Sequence, residues 1–180
     1  TLAQLLAEEW PKDFEDYREK LPPYTLTVVI AGAPRRPLER IAYEEEALNE
    51  IAAELLFQPA ATVAGIAGLQ DIMIEKLRSP QKEDSYWKTR YKGSSQDIFF
   101  ITTMDRAGDF QRKVMEVCTR FNYPARDVGV YLQPLERGRA CHLEFSFPCD
   151  LACGPEREKL GELCRCLSEE LITMGAFFSR

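Results

Sequence analysis

The side chains best equipped for chemistry gather late in the chain. Its only histidine, His142, lies in an alternating run at 140–147, with Glu144 and Ser146 on the same side. A second alternating run at 127–133 sets Gly129, Tyr131 and Gln133 on one side and Val128, Val130 and Leu132 on the other. A lone imidazole in such a place is either a structural or merely exposed group, or a proton carrier, since its ordinary pKa lies near neutrality. The chain closes on Gly175-Ala176-Phe177-Phe178-Ser179-Arg180, where Arg180 brings a lasting positive charge and a planar fork of donors.

Six cysteines offer a different chemistry. Cys149-x3-Cys153 and Cys164-x-Cys166 could be half of a metal or iron–sulfur site, yet Cys164 falls on an apolar helix stripe and Cys141 on an apolar strand face. In a chain of 180 residues whose cysteines have apolar neighbours, reduced thiols are the expectation, and no metal site is assigned. A single histidine supplies no metal-spaced pair. No glycine-rich phosphate loop follows a strand, and there is no serine or cysteine nucleophile motif.

These groups must be positioned by the elements around them. In 140–147, Cys141, Leu143, Phe145 and Phe147 face away from His142. A turn at 135–138 then predicts Tyr131 across from His142 and Val130 across from Leu143, which keeps one sheet face apolar and the other polar. Residues 97–104, with Ile98, Phe99, Phe100 and Ile101, predict a buried strand. Residues 108–121 predict a helix whose Phe110, Val114, Val117, Cys118 and Phe121 share a face. After Gly154, Pro155 opens a further helix with Glu156 and Glu158 near its positive end, a stripe of Leu160, Leu163, Cys164, Leu167 and Leu171, and Gly175 as its stop.

Upstream, residues 1–20 read as a connecting helical segment divided by Pro11, and 24–32 as a β-branched buried strand. Residues 38–56 and 60–77 predict two helices, with Glu44-Glu45-Glu46 on the wet side of the first. The irregular stretch 79–96 carries Tyr86, Trp87, Arg90 and Tyr91, and reads as a lid or binding loop or as a surface insertion. The interleaved order predicts an α+β fold: a ferredoxin-like antiparallel sheet with helices packed on one face, spanning 21–180 as one domain. Its polar face is left free to close over something else.

Composition narrows the partners. Hydrophobic residues make up 45% and charged residues 29%, an ordinary globular balance, and the net charge of −6 argues against nucleic acid or an anionic membrane surface. No apolar run approaches the roughly 20 residues of a spanning helix. A chain that opens on Thr1 rather than methionine is expected to be a processed or cut piece of a larger protein.

Residues 129–147 with their histidine, the helix that follows, and the closing Gly-Ala-Phe-Phe-Ser-Arg resemble the cap, or substrate, domain of the vanillyl-alcohol oxidase and p-cresol methylhydroxylase family of FAD-linked oxidases. In that family a cap-strand histidine precedes, across one helix, an arginine at the end of a short final segment, and His142 and Arg180 stand in that relation. The resemblance covers 126–180 and is architectural upstream. It implies a flavoprotein whose FAD is held mainly by another domain of the same parent chain, with the cap sheet roofing the substrate over the isoalloxazine ring. The fragment alone would hold no FAD and be inactive.

By the same resemblance, Arg180 would stabilise a phenolate or developing oxyanion, and His142 would orient substrate or move a proton. Tyr131, Gln133, Glu144 and Ser179 would line the pocket. Hydride would leave the substrate for flavin N5, and oxygen or a cytochrome would then take the electrons. Phenol-oxidising members carry a tyrosine where this chain has Ser179, which extends the expected substrates from phenols and benzylic alcohols to related alcohols or hydroxy acids. A covalent flavin link would fall on Tyr86 or Tyr91. The compartment stays open between cytoplasm and periplasm.

Two other readings use the same residues. One is a stand-alone ferredoxin-like binding or dimerisation module whose polar sheet face pairs with itself or with another protein. The other is a thiol or iron–sulfur domain.

Overall fold

In a computed structural model of the chain, the described residues are 2–7, 11–62, 66, 68–78 and 87–178. They form two compact units, one of Thr1–Pro11 with Glu83–Arg180 and one of Lys12–Lys82. Helix α1 (Leu2–Leu6) opens the first unit and buries Ala3, Gln4 and Leu6.

The second unit supplies α2 (Lys12–Lys20), α3 (Pro37–Glu54) and α4 (Leu69–Arg78). Pro37 sits in the first turn of α3, where its missing N–H costs nothing, directly after Arg36 in the left-handed region at φ 55°. The apolar period of α3 does make a helix. Of the apolar residues Leu38, Ile41, Leu48, Ile51, Ala52 and Leu55, which recur at helical spacing, only Ala52 is buried, while Leu38, Ile51 and Leu55 are exposed. Periodicity sets the helix, but burial depends on what packs against it. The same holds for residues 24–32, expected as a buried strand: they lie in no strand, and Tyr24, Leu26, Val28 and Val29 are exposed. β-branched residues favour an extended backbone, but a strand needs a neighbour to take its N–H and C=O groups, and the described part of this unit contains none.

The rest of the first unit is an α+β assembly, as the sequence pattern predicts. Its elements are β1 (Ser94–Thr102), α5 (Ala107–Arg120), β2 (Gly129–Leu135), β3 (Ala140–Cys149) and α6 (Gly154–Thr173). The strands form one antiparallel sheet in the order β1-β3-β2, so β3 is central. Beyond α6, Gly175 turns the chain at φ 89°. Phe177 then bridges Ile101, with backbone N···O distances of 2.8 and 3.1 Å, on the side of β1 away from β3.

The core lies between one sheet face and the two helices. Phe100, Phe145 and Phe147 from the sheet meet Phe110, Val114 and Val117 of α5 and Leu163, Leu167 and Leu171 of α6, all fully buried. Phe100 packs 4.8 Å from Phe110 and 6.3 Å from Phe145, centroid to centroid. Each such side chain contributes about 1.5–3 kcal/mol by leaving water. Tyr123 also joins this core, and its buried hydroxyl donates to the Pro148 carbonyl at 2.8 Å.

The register of the hairpin differs from the expected one. Tyr131 faces Glu144, Gln133 faces His142 and Val130 faces Phe145, a shift of two residues along β3. A two-residue shift preserves both faces, so alternation alone cannot detect it. Turn geometry decides: β2 runs on to Leu135 opposite Ala140, and Glu136, Arg137 and Gly138 reverse the chain with successive φ values of 49°, 60° and 81°.

Candidate functional site

The sheet face opposite the helices carries three rungs of interest. Ile101, His142 and Gln133 make one; Phe99, Glu144 and Tyr131 the next; Asp97, Ser146 and Gly129 the third. The close approach at Gly129 is part of the design, because a Cβ there would come 3.2 Å from that of Ser146. His142, at 26% side-chain exposure, stacks on Phe99 at 5.5 Å and meets the edge of Tyr131 at 6.1 Å. The Tyr131 hydroxyl donates to Gln133 Oε1 at 3.3 Å. Phe99, expected to be buried, is half-exposed and forms part of this aromatic rim.

Behind the rim lies a charged cluster. A single 3-10 turn, Trp87–Thr89, precedes β1 and brings Lys88 onto this face. Its ammonium donates to Asp97 Oδ2 at 2.7 Å and to Glu144 Oε1. Glu144 Oε2 lies 3.4 Å from His142 Nε2, and Ser146 donates to Glu144 Oε1 at 3.4 Å. Ser95 donates to Asp97 at 2.9 Å. Burial works against the charged form of Lys88, but the two carboxylates outweigh it and hold its pKa above the usual 10.5. Burial likewise works against ionised Asp97, and its hydrogen-bond donors, Lys88 foremost, outweigh it, leaving its pKa below the usual 3.8.

The structure therefore brings Tyr131, Gln133, His142 and Glu144 onto one face. Tyr91 belongs to another cluster: its hydroxyl lies 3.4 Å from buried Asp127, which Lys92 approaches at 3.5 Å while also pairing with Glu156 at 3.2 Å. Tyr86, Ser179 and Arg180 lie outside the described residues. The sequence pattern does not single out Lys88. It sits beside Trp87 in a stretch with no periodicity, and its partners lie 9 and 56 residues further on. The one available signal is Asp97 itself, a charge on a strand otherwise read as apolar.

All six cysteines are free thiols. Burial pushes Cys118 up to about 11 and Cys164 up to about 12, and raises Cys141 and Cys149. Among the described residues no group of His, Cys, Asp and Glu side chains could hold a metal ion, and no helix is long and apolar enough to cross a membrane.

No family model, curated protein or solved structure matches the chain.

The chemistry open to this face rests on its geometry. A partly exposed imidazole, backed by a carboxylate and framed by rings, can exchange a proton with a planar or hydroxylated molecule laid against the sheet.

Proposed function

We propose that the first unit is the substrate-binding cap of an FAD-linked oxidoreductase that oxidises a phenolic, benzylic or related alcohol or hydroxy-acid substrate. The observation that carries the reading is the outward sheet face, where His142 stands between Phe99 and Tyr131 with Glu144 behind it. A flat, ring-framed face of this kind suits a planar substrate, and suits the face of an isoalloxazine beyond it. Flavin, when held by a neighbouring domain, supplies the hydride acceptor. The residues of this chain orient the substrate and handle its proton, with Gln133 and Tyr131 on the rim and Arg180 as the expected counter-charge.

The element order supports a ferredoxin-like reading of this unit. Strand, helix, two strands and helix are followed by Phe177 at the far edge of β1, where a fourth strand of such a sheet would lie.

The test is to express the full reading frame that contains this chain and mix it anaerobically with phenols, benzylic alcohols and hydroxy acids. Bleaching of bound flavin is expected. Arg180→Ala should slow single-turnover reduction by about 100-fold, the usual loss when one donor to a developing oxyanion is removed. A reading frame without an FAD-binding domain, or unchanged reduction in the variant, would overturn the proposal. The competing reading, a stand-alone dimerisation module, draws on the exposed Phe99 and Tyr131. It predicts a flavin-free, concentration-dependent dimer that Tyr131→Glu dissociates.

A further inference from the structure

The hydrogen bonds of Glu144 assign the proton of His142. Glu144 Oε1 accepts from Lys88 and from Ser146, which leaves Oε2 as the oxygen facing His142 Nε2 at 3.4 Å. A carboxylate held against a buried ammonium is ionised and can only accept, so the hydrogen between Oε2 and Nε2 must belong to the imidazole. In a neutral ring with a proton on Nε2, Nδ1 carries the free lone pair.

We infer that Lys88, Glu144 and His142 form a relay in which Lys88 and Glu144 are positioning residues and Nδ1 of His142 is the proton acceptor presented to substrate. Lys88 fixes the carboxylate, the carboxylate fixes the tautomer, and the Phe99 ring at 5.5 Å limits rotation of the imidazole. In the step this arrangement serves, a substrate O–H bond breaks, its proton joins Nδ1 and the electron pair stays on the substrate oxygen. The resulting imidazolium is balanced by Glu144, and nothing is oxidised or reduced. The identity of that hydroxyl rests on the cap-domain reading, whereas the relay itself rests on the contacts alone. With both oxygens engaged and 16% of its side chain exposed, Glu144 acts through His142 and not on substrate.

Because His142 is the only histidine, a 15N-labelled chain gives one pair of ring nitrogens to observe. With the ring neutral, the Nε2–H form is expected to exceed the Nδ1–H form by about tenfold or more, with a slowly exchanging Nε2 proton. In Glu144→Gln, Lys88 takes the amide oxygen and the amide NH2 faces the ring, so the excess should vanish or invert. Lys88→Met combined with Asp97→Asn should speed exchange of the Nε2 proton about tenfold, and Lys88→Arg should restore it. Should the Lys88 variants fail to fold, the near-isosteric Glu144→Gln still decides. A dominant Nδ1–H form, or an Nε2–H form indifferent to Glu144→Gln, overturns the relay. These spectra need neither flavin nor substrate, so their failure and that of the cap-domain reading are separable.

Discussion

Lys88 Nζ stands 2.7 Å from Asp97 Oδ2, with only 9% of the lysine side chain exposed. Stability should therefore fall at both ends of the pH scale. Asp97 has its folded pKa depressed, so its contribution is present above about 3.8 and is lost as pH drops through the folded value. Lys88 has its folded pKa raised, so its contribution is present below about 10.5 and is lost as pH climbs through the folded value. Urea midpoints measured across pH should show a plateau with two falling limbs. Asp97→Asn should flatten the acid limb, and an unaltered limb would count against the pair.

Removing the ammonium should be far worse than removing a surface charge. Lys88→Met leaves Asp97 and Glu144 facing each other without their shared donor, a loss of about 3–5 kcal/mol. Glu169→Gln breaks the exposed pair with Arg165, at 3.0 Å, and should cost about 0.5 kcal/mol or less. Equilibrium denaturation of both variants, compared at neutral pH, reads the difference directly.

The thiols should divide by burial. Cys153 is exposed and should react first with a disulfide reagent. For Cys118, a pKa raised from 9.0 to about 11 lowers the thiolate fraction about 100-fold before access is considered. Cys118, Cys141 and Cys149, all buried, should thus react in the native state only through unfolding, with urea merging the phases, while partly buried Cys164 and Cys166 fall between them and Cys153. Rapid native-state labelling of the three buried thiols would contradict the packing.

The turn between β2 and β3 isolates a backbone effect. A Cβ at Gly138 would meet nothing within 4 Å, yet its φ is 81°, so Gly138→Ala should cost about 1 kcal/mol through conformation alone. Arg137, at φ 60°, bears the same constraint without being glycine, and Arg137→Gly should gain about 0.5 kcal/mol. Thermal midpoints of the two variants should move in opposite directions.

Much of the first unit is legible in its residues. The stripes of α5 and α6 and the alternation of β3 correspond to buried faces, because a core on one side writes a period into each element, whereas β1 reads as an unbroken apolar run and only Ile98 and Phe100 of that run are buried. The polar partners of His142 are legible as a face and not as a network. Alternation places Tyr131, Gln133 and Glu144 with the histidine, but their register depends on the turn. Lys88 comes from outside the sheet and obeys no period. Residues 24–32 fail for the complementary reason: their extended preference is local, while pairing requires a second strand.

The central place of β3 has a consequence for how substrate preference could diverge. His142 and Glu144 are held by ladders on both sides, so the pair to which we assign the relay tolerates little displacement. Tyr131 and Gln133 ride on an edge strand with one neighbour, and Phe99 contributes a ring that no hydrogen bond constrains. On the proposed reading, selection could retune the rim through these three positions while the proposed acid–base step beneath stays constant. Tyr131, Gln133 and Phe99 are accordingly the positions at which a library aimed at new substrates should begin.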